Sequence, residues 1–198
     1  GEEYINAPLS EEGYSSIDKN RRMIQYHITN SDILLSSPLT RTLETCLHSL
    51  KGIQSRNVYL APVISELGLH VENMGRSRSE IKNDNKLINM NMNDNVIFPS
   101  EHQYYANFTY FYGYPENTKW YMNTKHYTDQ PERKKQILNF LSSEIFKDKT
   151  VMIFTHFVII SILLNIHAKN LDIIEFDYDQ DKQIISNITI NHSEQLTK

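Results

Sequence analysis

The sequence predicts a three-layer α/β/α sandwich with a mostly parallel sheet and an irregular cap insertion. Three observations carry that expectation. Ile33-Leu34-Leu35-Ser36-Ser37 and Val151-Met152-Ile153-Phe154 are short apolar runs without alternation, the pattern of strands buried on both faces. Each run leads through a polar turn into a helical pattern, and strands alternating with helices build a parallel sheet covered on both sides. The chain has 198 residues, enough for one α/β domain and short of two.

The elements follow in order. Ser10 reads as an N-cap with Glu11 and Glu12 in the first turn, opening a helix over about Glu11–Ile28 with Tyr14, Ile17 and Ile24 on its buried side. The Ile33–Ser37 strand ends at Pro38. Leu39, Leu43, Leu47 and Leu50 then form the stripe of a second helix that Gly52 terminates. Asn57–Leu60 is a second strand. From Glu66 to about Gln130 the periodicity is lost. That stretch holds six asparagines between Asn83 and Asn95 and nine aromatic residues between Tyr104 and Tyr121. Asparagine favours turns, so the Asn-rich run reads as a loop and the whole of about 70–130 as a cap with short helices. Glu132–Phe146 reads as a helix with Ile137, Leu138, Leu141 and Ile145 in its stripe, Phe157 to about Ala168 as another, and Leu171–Phe176 and Gln183–Ile190 as two closing strands.

Composition narrows the function. Twenty basic against 24 acidic residues leave a net charge of −4, without the basic excess of a nucleic-acid binder. Cys46 is the sole cysteine, which excludes an internal disulfide and fits a reducing, cytoplasmic compartment. The longest apolar run, Phe157–Leu164, is too short to span a bilayer, so no membrane partner is expected. The start, Gly1-Glu2-Glu3-Tyr4, has no methionine, basic region or apolar run, so no signal peptide is expected. The histidines show no metal-ligand spacing, and Asp177, Asp179 and Asp181 lack the glycine and closing glutamate of a calcium loop. No metal or other cofactor is expected, and the acidic run reads as a hairpin turn.

Two places share one design: a buried strand ends, the chain turns, and a helix begins beside a polar residue. The first delivers Arg41, the second His156. Ligands of parallel sheets bind beyond the carboxyl ends of the strands, where helix N-termini favour phosphate. Arginine supplies a bidentate fork for its oxygens, and histidine can donate or transfer a proton near neutral pH.

The letters around both places resemble a known family. Ser36-Ser37-Pro38-Leu39-Thr40-Arg41-Thr42-Leu43-Glu44-Thr45 closely resembles the S-P-L-x-R-T-x-E-T segment of the histidine phosphatase superfamily, the phosphoglycerate-mutase-like proteins. Ala7–Gly13, Val63–Gly68 and Val151–His156 resemble further segments in the same order, so the likeness covers about residues 4–70 and 131–170. Leu67–His70 with Arg76–Ile81 looks most like the eukaryotic broad-range phosphatase branch. The resemblance implies one such domain over 1–198 and a phosphohistidine mechanism on a phosphorylated small molecule, as phosphatase or mutase, in a monomer or homodimer. Arg41 matches the phosphate clamp, His156 the second histidine that holds the transferring group, and Glu66 the acid that protonates the leaving oxygen. Arg76 and Arg78 are candidates for a remote anionic group of the substrate.

Two departures shape the expectation. The family's Arg-His-Gly, which carries the nucleophile on a central strand, is absent from the 198 residues. An upstream strand bearing it is therefore expected, and a catalytically inactive protein that binds phosphorylated ligands or proteins is the alternative. Phe157 also stands where the family has a small residue, and its bulk is expected to crowd the pocket.

Overall fold

The computed structural model describes residues 6–54, 56–67, 71–73, 75–97 and 129–194. The aromatic part of the expected cap, Tyr104–Tyr121, lies outside the described residues. Helix α1 (Glu11–Thr29) begins where Ser10 accepts a hydrogen bond from Gly13 N at 3.1 Å, and Glu11 and Glu12 complement the positive end of its dipole. Ile17, Ile24 and Ile28 are buried along one face. Gly13 lets Leu9 pack close against the first turn, because a Cβ there would lie 2.5 Å from Leu9 Cδ1 and that side chain would have to shift.

Strand β1 (Ile33–Ser36), helix α2 (Thr40–Ser49) and strand β2 (Val58–Leu60) follow. Single 3-10 turns cover Pro62–Ile64 and Val71–Asn73. Three short helices, α3 (Arg78–Lys82), α4 (Asn85–Asn89) and α5 (Met92–Asn95), precede strand β3 (Val96–Ile97). Helix α6 (Gln130–Leu141), strand β4 (Val151–Phe154) and helix α7 (Phe157–Leu164) complete the main layers, and strands β5 (Ile173–Asp179) and β6 (Ile184–Asn191) form a hairpin.

The sheet has the order β3-β2-β1-β4, and each of its three pairings is parallel. Neighbouring side chains of a strand face opposite sides of a sheet. Leu34 accordingly joins Ile17, Ile24, Ile28, Leu43 and Leu47 from α1 and α2, while Leu35 joins Ile137, Phe140, Ile159 and Leu163 from α6 and α7. These two cores on either side of one parallel sheet are the three layers the apolar runs predicted. No helix of the described residues is long and apolar enough to cross a membrane.

Several boundaries differ from expectation. Helix α6 stops at Leu141, short of Phe146, and Ile145 is 39% exposed rather than part of its stripe. Helix α7 ends at Leu164, because Asn165 turns left-handed with φ 56°, and does not reach Ala168. The two closing strands begin and end later and pair only with each other, antiparallel, as a separate sheet. The Asn-rich run is not a plain loop. Asp84 caps α4 by accepting from Lys86 N and Leu87 N at 2.8 and 3.1 Å, and Leu87 and Met92 are fully buried. Two apolar anchors there outweigh the turn preference of the asparagines around them.

Candidate active site

The pairing of β1 with β4 builds the site. Their register sets Ser36 beside Phe154, and Ser37 N donates to Phe154 O at 3.0 Å. The residues just beyond both strands therefore emerge side by side at the carboxyl edge of the sheet. On one side Pro38 ends β1 and α2 starts, which sets Arg41 and Thr42 in its first turn. Thr40 N there donates to Asn6 Oδ1 at 2.9 Å. On the other side His156 forms the N-cap of α7.

Arg41 and His156 meet, with Arg41 Nη2 3.5 Å from His156 Nδ1. The guanidinium is aimed by the Val71–Asn73 turn: Nη1 donates to the Glu72 carbonyl at 2.8 Å and Nη2 to Asn73 Oδ1 at 2.9 Å. The other ring nitrogen, Nε2, lies 2.8 Å from Ser37 Oγ and 3.1 Å from Thr42 Oγ1. Ser37 is fully buried and its hydroxyl also reaches Ser65 Oγ at 3.3 Å. Burial and the Arg41 charge together hold His156 well below the ordinary histidine value, so the imidazole is neutral near pH 7.

Glu66 belongs to the same rim. Thr155 Oγ1 donates to Ile64 O at 2.7 Å and buried Arg133 Nη1 to Val63 O at 3.2 Å, which stitches the Pro62–Ile64 turn to β4 and α6. Glu66 accepts from Leu67 N at 3.0 Å and from the Val158 N–H in the first turn of α7. Burial raises its carboxyl above the ordinary value, against the lowering by those two N–H groups and by the Arg41 charge. A raised carboxyl beside a guanidinium and a neutral imidazole can supply a proton, clamp an oxyanion and accept a proton.

Arg76 and Arg78 lie at the entry to α3. Arg76 is ion-paired with Asp84, which balances its charge inside the α3–α4 segment, and Arg78 opens α3 behind the capping box of Ser77 and Glu80. Phe157 corrects another expectation. Its ring is 42% exposed and meets His167 edge-on at 4.7 Å between centroids, so its bulk lies outward and does not crowd His156. Cys46 is packing: it is fully buried in α2, and burial pushes its thiol far up, which leaves no reactive thiolate.

Ser37, Thr42, Ser65 and Asn73 were not marked by sequence reasoning. Ser37 and Thr42 lay inside the motif, and the hydroxyl types at strand end and first helical turn were the available signal. Asn73 had none. A cleft of about 440 Å³ opens at the opposite, amino end of the sheet, between Asp32, Ile33, Arg56, Tyr59 and Ile145. Its charged groups already serve the fold, since Arg56 donates to Ile28 O and Ser31 O and Asp32 accepts from Thr150 N. Among the described residues no group of three His, Cys, Asp or Glu side chains is placed to hold a metal ion. In comparisons with known proteins, no protein-family model matches the chain and no curated protein matches its sequence.

Proposed function

We propose that this rim is a phosphoryl-group site of the histidine phosphatase type, acting on a phosphorylated small molecule. Arg41 clamps the phosphate oxygens, His156 holds the transferring group, and Glu66 protonates the leaving oxygen. The nucleophile in this reading is a histidine on a segment ahead of Gly1. Its nitrogen attacks phosphorus, the ester P–O bond breaks, the leaving oxygen takes the Glu66 proton, and water then cleaves the P–N bond. Phosphoryl transfer depends mainly on positioning and charge stabilisation, which such a rim supplies. Hydrolysis is preferred to mutase transfer, since nothing among the described residues of the rim is specialised to keep water from the intermediate.

The observation that carries the reading is the 3.5 Å approach of Arg41 to His156 at the carboxyl ends of two paired parallel strands. Strand β4 pairs with β1 alone among the described residues, so its other edge is where a strand bearing the nucleophile would add. The second reading, an inactive protein that binds phosphorylated ligands or proteins, draws on Arg41 and His156 alone and needs no added strand. The test is hydrolysis of a generic phosphomonoester by the chain carrying its upstream residues. Arg41→Ala and His156→Ala each lowering the rate by ~10²–10³-fold supports catalysis. Phosphate binding with no turnover supports the second reading, and unchanged rates in both variants reject the site.

A further inference from the structure

We infer that Arg41 sets His156 in its Nε2–H form, with the Ser37 and Thr42 hydroxyls as acceptors of that proton, so that the site takes up an oxyanion together with one proton. This rests on the phosphoryl-group reading above and specifies the protonation state of the site.

Arginine only donates, and Arg41 Nη2 is the neighbour of His156 Nδ1. A hydrogen on Nδ1 would face another hydrogen, so Nδ1 carries the lone pair and a neutral ring carries its proton on Nε2. That proton has an acceptor, because Ser37 Oγ lies 2.8 Å away. A serine hydroxyl has one hydrogen and two lone pairs. Ser37 Oγ accepts from Leu39 N at 3.3 Å, accepts from His156 Nε2–H at 2.8 Å, and donates to Ser65 Oγ at 3.3 Å. Its capacity is filled, and Thr42 Oγ1, 3.1 Å from Nε2, is a second acceptor for the same proton. With the proton on Nδ1, Ser37 would donate to Nε2 and accept from Ser65 instead, so the hydroxyls serve either form, and what excludes the second is an Nδ1–H set against the Arg41 donor. Ser37 and Ser65 are 0% and 1% exposed, so water does not compete for these hydrogen bonds.

The consequence concerns the ligand. An oxyanion at Arg41 meets a bare Nδ1 lone pair, and two acceptors repel each other unless a proton lies between them. The anion therefore enters with a proton, which Nδ1 binds and donates to an anion oxygen while Nε2–H stays on Ser37. Among the described residues, the charged group acting on His156 is Arg41 from α2, and Glu66 stands beside Arg41. The cation that sets the empty ring neutral is thus the group the anion neutralises.

Two measurements test this on the 198-residue chain. With ¹⁵N-labelled histidine, His156 without ligand is expected as Nε2–H. Arg41→Ala is expected to mix the two tautomers, and Ser37→Ala, which leaves the Thr42 hydroxyl as acceptor, to keep the first. Sulfate, which does not titrate near neutrality, is the second probe and needs no variant. Its binding heats in buffers of different ionisation enthalpy are expected to show one proton taken up per sulfate, with affinity falling ~tenfold per pH unit above neutrality. An Nδ1–H ring in the wild type, or sulfate bound without proton uptake and still lost in Arg41→Ala, overturns the tautomer lock and leaves the oxyanion site standing. Absence of sulfate and phosphate binding, or equal binding by wild type and Arg41→Ala, overturns the site itself.

Discussion

Arg41 and His156, separated by 115 positions in the chain, face each other across 3.5 Å at the carboxyl edge of one parallel sheet. A cation and an imidazole at that distance lower the histidine's proton affinity, and each depends on the other. Replacing Arg41 with Ala is expected to raise the His156 pKa toward the ordinary value of 6.5, read by ring NMR titration. An unmoved titration would show that the charge does not reach the ring.

Acid stability follows from the same burial. His156 titrates below 6.5 in the folded chain, so the unfolded chain binds the extra proton. His156 thus contributes stability above about pH 6.5 that is lost as pH falls through its folded value. Glu66 runs the other way. Its folded value lies above 4.5, so its contribution is complete below 4.5 and is lost as pH rises through the folded value. His156→Gln is expected to flatten the loss of stability below pH 6.5, and Glu66→Gln to gain on wild type as pH rises. Urea unfolding at a series of pH values reads both, and parallel curves for all three proteins would contradict the assignment.

Glu66 also makes a kinetic prediction. A general acid is needed in its protonated form, so activity on a phosphomonoester with a poor leaving group should fall as pH rises through the Glu66 value. Glu66→Gln should lower that rate by ~10²–10⁴-fold and remove the alkaline limb it controls. A substrate with a good leaving group should be less affected. An identical loss with both substrates would assign Glu66 a structural role instead.

Glu44 is a buried carboxylate beneath the site, held by partners from two other segments. Its side chain is 1% exposed, its Oε1 lies 2.8 Å from Lys86 Nζ, and its Oε2 accepts from Leu9 N at 2.7 Å. It thereby joins α2, the entry to α1 and the short helix α4. Glu44→Ala leaves that N–H and the ammonium without their partner and is expected to destabilise the fold by ~3 kcal/mol. Glu44→Leu combined with Lys86→Met should recover much of the loss. Equal stability of Glu44→Ala and wild type in thermal unfolding would contradict this.

Much of this was legible in the sequence because strands buried on both faces leave apolar runs that need no context. Val151–Phe154 was placed to the residue, and Ser10 marked the start of α1 through its capping hydroxyl. Arg41, His156 and Glu66 stood out because each stands at the end of a strand or turn within a family-like segment, and the structure brings the three to one edge of the sheet. What local pattern could not reveal was set by tertiary contact. Leu87 and Met92 find a core that their asparagine neighbours conceal, and Phe157 turns outward to His167. The β5–β6 hairpin carries strand patterning, yet nothing in that patterning says which sheet it joins. Asn73 reaches Arg41 through a turn with no sequence periodicity at all.

The most direct test is a titration of the chain with inorganic phosphate, followed by NMR at the Arg41 side chain and the His156 ring. The account predicts that both signals move with one midpoint and that the His156 ring signal stays in place in Arg41→Ala. Phosphate that shifts neither signal, or shifts the ring equally without the guanidinium, would contradict it.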